Sequence, residues 1–428
     1  MAASIASGAR GAAAQASSTT TAALSFTPRT VFDASPSLAR SHFLGHHHAG
    51  LNKMRASLAN VGLIIECRDM RVPLTSYNPL LESSLASPDR ARIVVYTKRD
   101  LCPSYKKTLR MMRLLERFHS SSSAAADTPP AAPALPPPPE AAAEDDDVGG
   151  VDGLPRGRAQ SRPPRPPGPG NGTEVLFLGN RDGLARLLTA VRRVAADRPS
   201  LTGLRALVVG MPNAGKSTLL NALRAKGMGL GKAARTGAQP GVTRKLSTPV
   251  RIIPAADGDG SAADGGGVEA GVLVIDTPGV SIPYVPDPEA MLRLALAGSV
   301  RDGLVPAVEV ADYLLYQLNL RCGPAEYARY CGPTNDVEVF LAAVARRTGK
   351  LVAGGAPGLE AAAGWVVQEW RRGALGRMVL DDVTDETVAA ARRAAASPPL
   401  SMNQARKRAK EVRKTRSAAK RAGTEGVA

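Results

Sequence analysis

Cysteine is sparse in this chain, and so are aromatic side chains, long apolar runs and, near the start, acidic residues. The four cysteines, Cys67, Cys102, Cys322 and Cys331, form no Cys-x-x-Cys pair among the 428 residues. That argues against a disulfide scaffold and a structural zinc ribbon, and it suits a reducing compartment. No apolar stretch approaches ~18 residues, so no membrane-spanning helix is expected. Phe, Tyr and Trp together reach only 4%, while 42 Gly and 34 Pro interrupt the chain. Hydrophobic residues still make up 44%, enough for a sizeable core. The mixture describes folded parts diluted by flexible ones. At ~150 residues per domain, the length suggests two or three domains.

Acidic residues are scarcest at the beginning. Residues 1–40 are rich in Ala, Ser and Thr and carry Arg10, Arg29 and Arg40 against the single acid Asp33; the next acid is Glu66. This is the composition of a mitochondrial transit peptide. A secretory signal would need a continuous apolar core, which is missing. A leader without an address and a plastid peptide are the alternatives. Over the whole chain, 55 Lys and Arg against 38 Asp and Glu leave a net charge of +17. So basic a protein seeks polyanions: nucleic acid, anionic membrane or nucleotide phosphates.

Further along, 58–69 and 91–96 read as short buried strands and 104–118 as a basic helix. The segment 121–172 then holds 13 of the 34 prolines, with Leu135, Val148, Val151 and Leu154 as its large apolar residues. It cannot bury enough surface to offset its chain entropy and is expected to be disordered. Order resumes at 174–178, followed by a helix over 183–198 and a strand over 204–209. A flexible loop, 257–267, separates TPVRIIP from GVLVID, which read as the two strands of a hairpin with an overlong connection. Beyond Pro286 the pattern turns helical: Val337, Phe340, Leu341 and Val344 fall at i, i+3, i+4 and i+7. There is no internal repeat.

The strand 205–209 runs into GMPNAGKS, residues 210–217, and then into the helical STLLNALRAK. This is G-x-x-x-x-G-K-S in its strand–loop–helix setting. Gly210 and Gly215 permit a tight loop whose backbone N–H groups, from Asn213 and Ala214 through Gly215 to Thr218, turn toward phosphate oxygens. The helix N-terminus adds partial positive charge. Lys216 is placed to reach the β- and γ-phosphates, and the Ser217 hydroxyl to bind Mg²⁺. DTPG, Asp276 to Gly279, ends a second apolar strand. Asp276 suits a water-mediated Mg²⁺ contact, and the Gly279 N–H suits the γ-phosphate. Between the two lies PGVTR, where Thr243 can complete the metal shell. The base-reading box is upstream, as TKRD. There Asp100 can accept both guanine N1–H and N2–H, the Lys98 stem can cover the base plane, and Thr97 opens the turn. The order is therefore base box, phosphate loop, Thr243 loop, DTPG.

That order is the mark of circularly permuted GTPases. The chain resembles the YlqF/YawG family, and within it the mitochondrial GTPase 1 group. The resemblance is carried by FLGHHHAGLNKM (43–54), ECRDMRVPLTSYNP (66–79), TKRD, GMPNAGKS, PGVTR, DTPG, LRLALAGSVRDG (292–303) and LGRMVLDD (375–382). It covers about 43–382, apart from the two inserts. It implies an α/β fold: a circularly permuted P-loop GTPase domain with a doubly wound, mostly parallel sheet at 41–285, then a smaller helical ribosome-contacting domain at 286–395. A basic tail, 396–428, follows. It also implies a GTP-hydrolysing assembly factor for the mitochondrial large ribosomal subunit, stimulated by that subunit, bound to immature rRNA in the GTP state and released after hydrolysis. The protein is expected to be a monomer in the matrix, with peripheral contact to the inner membrane as a further option.

Four departures from the family pattern matter. Thr97 stands where Asn is commoner, and Leu44 where Pro is usual in the F-P-G-H motif. FLGN is a poor match to the family's second base box, to which Gly179 and Asn180 correspond. The 121–172 insert is unusually long. Val280 follows DTPG where Ras-like GTPases place a water-orienting Gln, and it cannot position water. The resemblance aligns His46 with the F-P-G-H histidine, implicated in catalysis; a packing or solvated histidine is the alternative. Asn213 matches an asparagine that helps bind K⁺ in potassium-stimulated GTPases; a loop-stabilising hydrogen bond is the other reading.

The tail 401–428 carries nine Lys/Arg and two acids without an apolar stripe. It reads as rRNA phosphate contact or as solvated chain, not as a membrane-lying helix. Trp365 and Trp370 read as core. The rival to the enzyme reading is an RNA-binding assembly factor that uses GTP as a ligand with negligible turnover. A GTPase that signals to membrane or protein partners is a third.

Overall fold

The computed structural model describes residues 26–35, 58–79, 90–120, 173–179, 181–234, 246–255, 270–282 and 287–396, with single positions between and beyond these runs. His46, Asn180, Thr243 and both inserts lie outside the described residues, as does nearly all of the tail.

Six strands form one sheet: β1 (Leu63–Asp69), β2 (Ala91–Thr97), β3 (Glu174–Phe177), β4 (Leu204–Gly210), β5 (Val250–Ile253) and β6 (Val272–Asp276). Their order is β3-β2-β1-β4-β6-β5, parallel except for the edge strand β5. β1 is buried along its whole length. Its first half, LII, is continuously apolar, as suits a strand covered on both faces, while Glu66, Arg68 and Asp69 in its second half are buried as ion pairs. The first strand begins at Leu63 rather than near 58, because Leu58–Asn60 make a short 3₁₀ turn closed by Val61 N–H on the Leu58 carbonyl (3.1 Å). β5 and β6 are antiparallel, as the hairpin reading expected.

One face of the sheet is covered by α2 (Arg181–Asp197) and α3 (Lys216–Met228). Leu187, Val191, Leu220 and Leu223 pack there on Ile65, Val95 and Val208. On the other face, Met112 and Leu115 of α1 (Tyr105–Ser120) meet Val94 and Tyr96. Parallel pairing sets Asp69 beside Thr97, Cys67 beside Gly210, and Val208 beside Asp276. The carboxyl ends of β1, β2, β4 and β6 thus share one edge, where ligands sit in open parallel sheets.

The sheet gives way to α4 (Pro288–Ala297), α5 (Ala307–Arg321), α6 (Val337–Thr348) and α7 (Leu359–Arg372). Asp287 caps α4 by accepting from Glu289 N–H and Ala290 N–H, each at 3.1 Å, with Pro288 in the first turn. The buried side chains of this unit include Leu292, Leu314, Phe340, Leu341, Val344 and Trp370, with Val337 and Trp365 partly buried. The last helix, α8 (Asp385–Ala396), leaves this core and lies on α1, where Val388 packs with Leu114 and Phe118. Residues 26–35 run along α5. Phe32 meets the Tyr313 ring edge-on at 5.2 Å, Arg29 pairs with Asp312 at 2.5 Å, and Asn335 Nδ2 donates to the Thr27 carbonyl at 2.9 Å.

Beneath α1 lies a buried polar cluster. Glu66 takes Arg68 Nε at 2.6 Å and a second guanidinium from Arg92. Burial alone would raise the Glu66 pKa, but the two arginines outweigh it and hold the carboxyl well below its usual range. His119 shares a 3.0 Å hydrogen bond with the Tyr96 hydroxyl. Burial, aided by the Arg68 charge, pushes its ring down to about 2. The fold therefore keeps this ring neutral while the unfolded chain takes up a proton below ~6.5, and stability falls as pH drops through that value. At ~1.4 kcal/mol per pH unit, the loss between pH 6.5 and 5 is about 2 kcal/mol. His119→Gln, which cannot charge, is expected to remove that share of the pH dependence; urea melts at pH 6.5, 5.5 and 5 measure it. An unchanged slope would mean that the ring protonates in the fold.

Candidate functional site

The loop between β4 and α3 is shaped by its glycines. Gly210 has φ 140°, and a Cβ there would stand 2.2 Å from the Cys67 carbonyl oxygen of the neighbouring strand. Gly215 caps α3 with φ 86°. Asn213, with φ 56°, is one of two non-glycine residues in the left-handed region among the described residues; its Nδ2 donates to the Gly298 carbonyl at 2.8 Å. The phosphate loop is thereby tied to the end of α4.

Lys216 is buried and folds its ammonium onto the Met211 carbonyl of its own loop at 2.8 Å. Burial lowers its pKa, and the Asp276 carboxylate pulls in the other direction. The Ser217 hydroxyl donates to Asp276 Oδ2 at 2.5 Å. The two proposed metal-binding groups, from a helix N-terminus and a strand end, are thus already in contact. Their hard oxygen donors fit Mg²⁺ chemistry.

DTPG is packed onto the same loop. A Cβ on Gly279 would stand 2.6 Å from Pro212, Val280 N–H donates to the Gly210 carbonyl at 3.1 Å, and Thr277 Oγ1 to that of Val208 at 2.8 Å. Val280 is 1% exposed and packs with Ile64, Leu207 and Val209. Its side chain belongs to the core. Asn78, of the 66–79 motif, holds it there by donating Nδ2 to the Val280 carbonyl at 3.0 Å.

The TKRD turn forms a cavity of about 560 Å³ next to this loop. Thr97, Lys98, Asp100, Gly179, Gly215 and Thr218 line it, so six residues singled out in the sequence come together. Leu178, Leu184, Leu219 and Ala222 complete it with apolar wall suited to a flat base. Sequence reasoning missed these four, because apolar residues at a strand end and on helices carry only the signal of core. Asp100 sits exposed on the 3₁₀ turn Arg99–Leu101. The turn is anchored by Arg99 N–H on the Leu178 carbonyl at 3.1 Å, and a Cβ on Gly179 would come within 2.6 Å of Arg99 Cβ. Only a glycine lets β3 approach the turn this closely. The Thr97 hydroxyl, placed where Asn is commoner, lies 2.8 Å from the Ala214 carbonyl and 3.1 Å from that of Arg68. It ties the base strand to the phosphate loop.

A family model described as "50S ribosome-binding GTPase" matches residues 205–330. The mitochondrial GTPase 1 of Schizosaccharomyces japonicus is 32% identical over 344 residues, covering 80% of this chain and 90% of that one. This chain belongs to the mitochondrial GTPase 1 family. The Schizosaccharomyces pombe member is 30% identical over 79% of this chain and 88% of its own length. The mitochondrial ribosome-associated GTPase 1 of Xenopus tropicalis is 28% identical over 84% and 99%. The crystal structure of GNP-bound YlqF from T. maritima overlays with a TM-score of 0.43 at 20% identity, covering 78% of this chain and 98% of that one. As a member of the family, the protein is a GTP-binding GTPase. β2, which ends in TKRD, precedes the phosphate loop in the chain, which is the circularly permuted order.

Proposed function

We propose that this GTPase works on the large ribosomal subunit of mitochondria, holding immature rRNA in the GTP state and leaving after hydrolysis. The observation that carries this is the direct attachment of the nucleotide loop to the helical unit. Asn213 bonds to the end of α4, and DTPG reaches α4 within a dozen residues. A change at the γ-phosphate would be felt there first. The names of the relatives, mitochondrial and ribosome-associated, support the destination.

In this reading Ser217, Asp276 and Thr243 would hold Mg²⁺, which would supply positive charge to the phosphates. Lys216 and the loop N–H groups orient the phosphates. With Val280 in the core, the attacking water needs another partner, and His46 is the proposed one. Asn213 is the candidate K⁺ contact.

For RNA, the basic stripe of α1 is the candidate face. Lys106, Arg110, Arg113 and Arg117 are exposed at i, i+4, i+7 and i+11 on α1, with Asp385 of α8 paired to Arg110 and Arg117 at 3.1 and 3.2 Å, and α8 leads on into the basic tail. The apolar side of α1 is already buried, so this face suits phosphates better than a bilayer. Among the described residues no helix is long and apolar enough to cross a membrane.

Sedimentation with purified mitochondrial large subunits tests the proposal. Co-migration with a non-hydrolysable GTP analogue, and release with GDP, are expected. Equal partition in both states would defeat it. The leader is placed before Phe26 and not across the whole of 1–40, since a cut after residue 35 would remove the contacts of Arg29 and Phe32 with α5. N-terminal sequencing of the protein recovered from mitochondria should find the first residue at or before position 26; a start beyond 35 would refute this.

A further inference from the structure

The motif ECRDMRVPLTSYNP has no part in the chemistry so far beyond Asn78, yet it places a buried carboxylate between the base box and the helical unit. Asp69, at the end of β1, is 1% exposed. Its Oδ1 accepts from Arg71 N–H and Arg71 Nε, both at 3.0 Å. Its Oδ2 accepts from two cations at the same 2.8 Å, Arg71 Nη2 and Lys98 Nζ. One carboxylate oxygen thus serves both the lysine of the base box and a guanidinium from the neighbouring loop.

Arg71 in turn faces the helices. It is 1% exposed, and its guanidinium carbon lies 4.5 Å from the Trp370 ring centroid on α7. Its Nη2 also donates to the Ala297 carbonyl at the end of α4, at 3.3 Å, and its own carbonyl accepts from Leu380 N–H at 2.8 Å. Its Nη1 is buried without a hydrogen-bond partner among the described residues. Charges near the pair come from Arg371, whose field, with that of Arg71, disfavours the Lys98 ammonium after burial has done so. Burial would raise the Asp69 pKa, but Arg71 and Lys98 hold it well below the carboxylate range. The carboxylate is therefore always charged, and always contested.

We propose that Asp69 and Arg71 are positioning residues that set Lys98 against the guanine ring and report base occupancy to the helical unit through Trp370. The inference rests on the assignment of Thr97–Asp100 as the guanine box. When a base enters the cavity, the Lys98 stem lies along it and its ammonium changes its hold on Oδ2. Arg71 takes up the difference and moves relative to the indole. A cation over an aromatic face perturbs the ring directly, so Trp370 emission is the readout. This route responds to the base. The contact from Asn213 to Gly298 responds to the phosphates; both routes end on adjacent residues at the end of α4, so the comparison of GDP with GTP tells them apart.

The experiment uses the full chain carrying Trp365→Phe, which leaves Trp370 as its one tryptophan. GDP and GTP are expected to shift its emission alike, and ATP at the same concentration to leave it unchanged. Lys98→Met in that background keeps the stem and removes the charge. Asp69 stays bidentate with Arg71, so the fold is retained, which a thermal melt checks. Its nucleotide-free emission should differ from the parent's, and the response to saturating GDP should be lost. A Trp370 that is silent with GDP bound, a shift with GTP but not GDP, or a Lys98→Met protein that responds like its parent would each overturn the proposal. Equilibrium dialysis of GDP separates the failures. Silent emission with GDP bound removes the relay alone, whereas no GDP binding removes the guanine box and the relay with it.

Discussion

Asp100→Asn is expected to weaken GTP binding by roughly 100-fold and to turn the site toward xanthine nucleotides. A carboxylate offers acceptors to both guanine N1–H and N2–H, whereas a carboxamide offers one acceptor and an NH₂ donor. The donor would oppose the guanine amino group and complement the 2-oxo group of xanthine. Hydrogen bonds to a charged group contribute roughly 1.5–3 kcal/mol each. Inverting one and removing the charge from the other therefore corresponds to about 3 kcal/mol, or roughly two decades in affinity. Asp100 is exposed and sits on a turn held by backbone bonds to Leu178, so the change should leave stability nearly untouched. Equilibrium binding of GTP, XTP and ATP to both proteins measures the effect. An unchanged preference for GTP would place the base elsewhere.

Lys216→Ala should leave a folded protein whose hydrolysis of bound GTP is slower by about 100- to 1,000-fold, the usual range for removing one preorganised charge-stabilising group. The ammonium is buried, and it rests on the Met211 carbonyl beside Asp276. Truncation removes a desolvated cation and leaves one carbonyl without its donor, so the two effects on stability oppose each other. At the transferring γ-phosphoryl there is no such offset, because positive charge there acts on the transition state more than on the ground state. Single-turnover hydrolysis with large subunits present, set beside thermal melts, separates the two. Hydrolysis within a few-fold of wild type in a stable protein would assign the stabilising charge to another group.

Much of the site was legible in the chain because its signals are local. GMPNAGKS, DTPG and TKRD each follow an apolar strand, and backbone geometry makes such runs end in loops at a sheet's carboxyl edge. The hairpin of β5 and β6 was readable through its insert for the same reason. The apolar wall of the base cavity was not readable: Leu178 and Leu184 differ from core leucines only in facing a space that the turn at Arg99–Leu101 holds open. Nor was the role of Thr97, whose hydroxyl bonds to a loop more than a hundred residues away.

By itself, then, the amino-acid order determined the enzyme class, the permuted arrangement and the loops that gather at the sheet's carboxyl edge, since these depend on short spacings along the backbone. Only the tertiary structure decided that Val280 turns into the core, that residues 26–35 bind α5, that α8 returns to α1, and that Lys98 and Arg71 share one oxygen of Asp69. Each of these joins positions distant in sequence through packing and charge. Such contacts arise from which surfaces bury one another, and no local pattern encodes that.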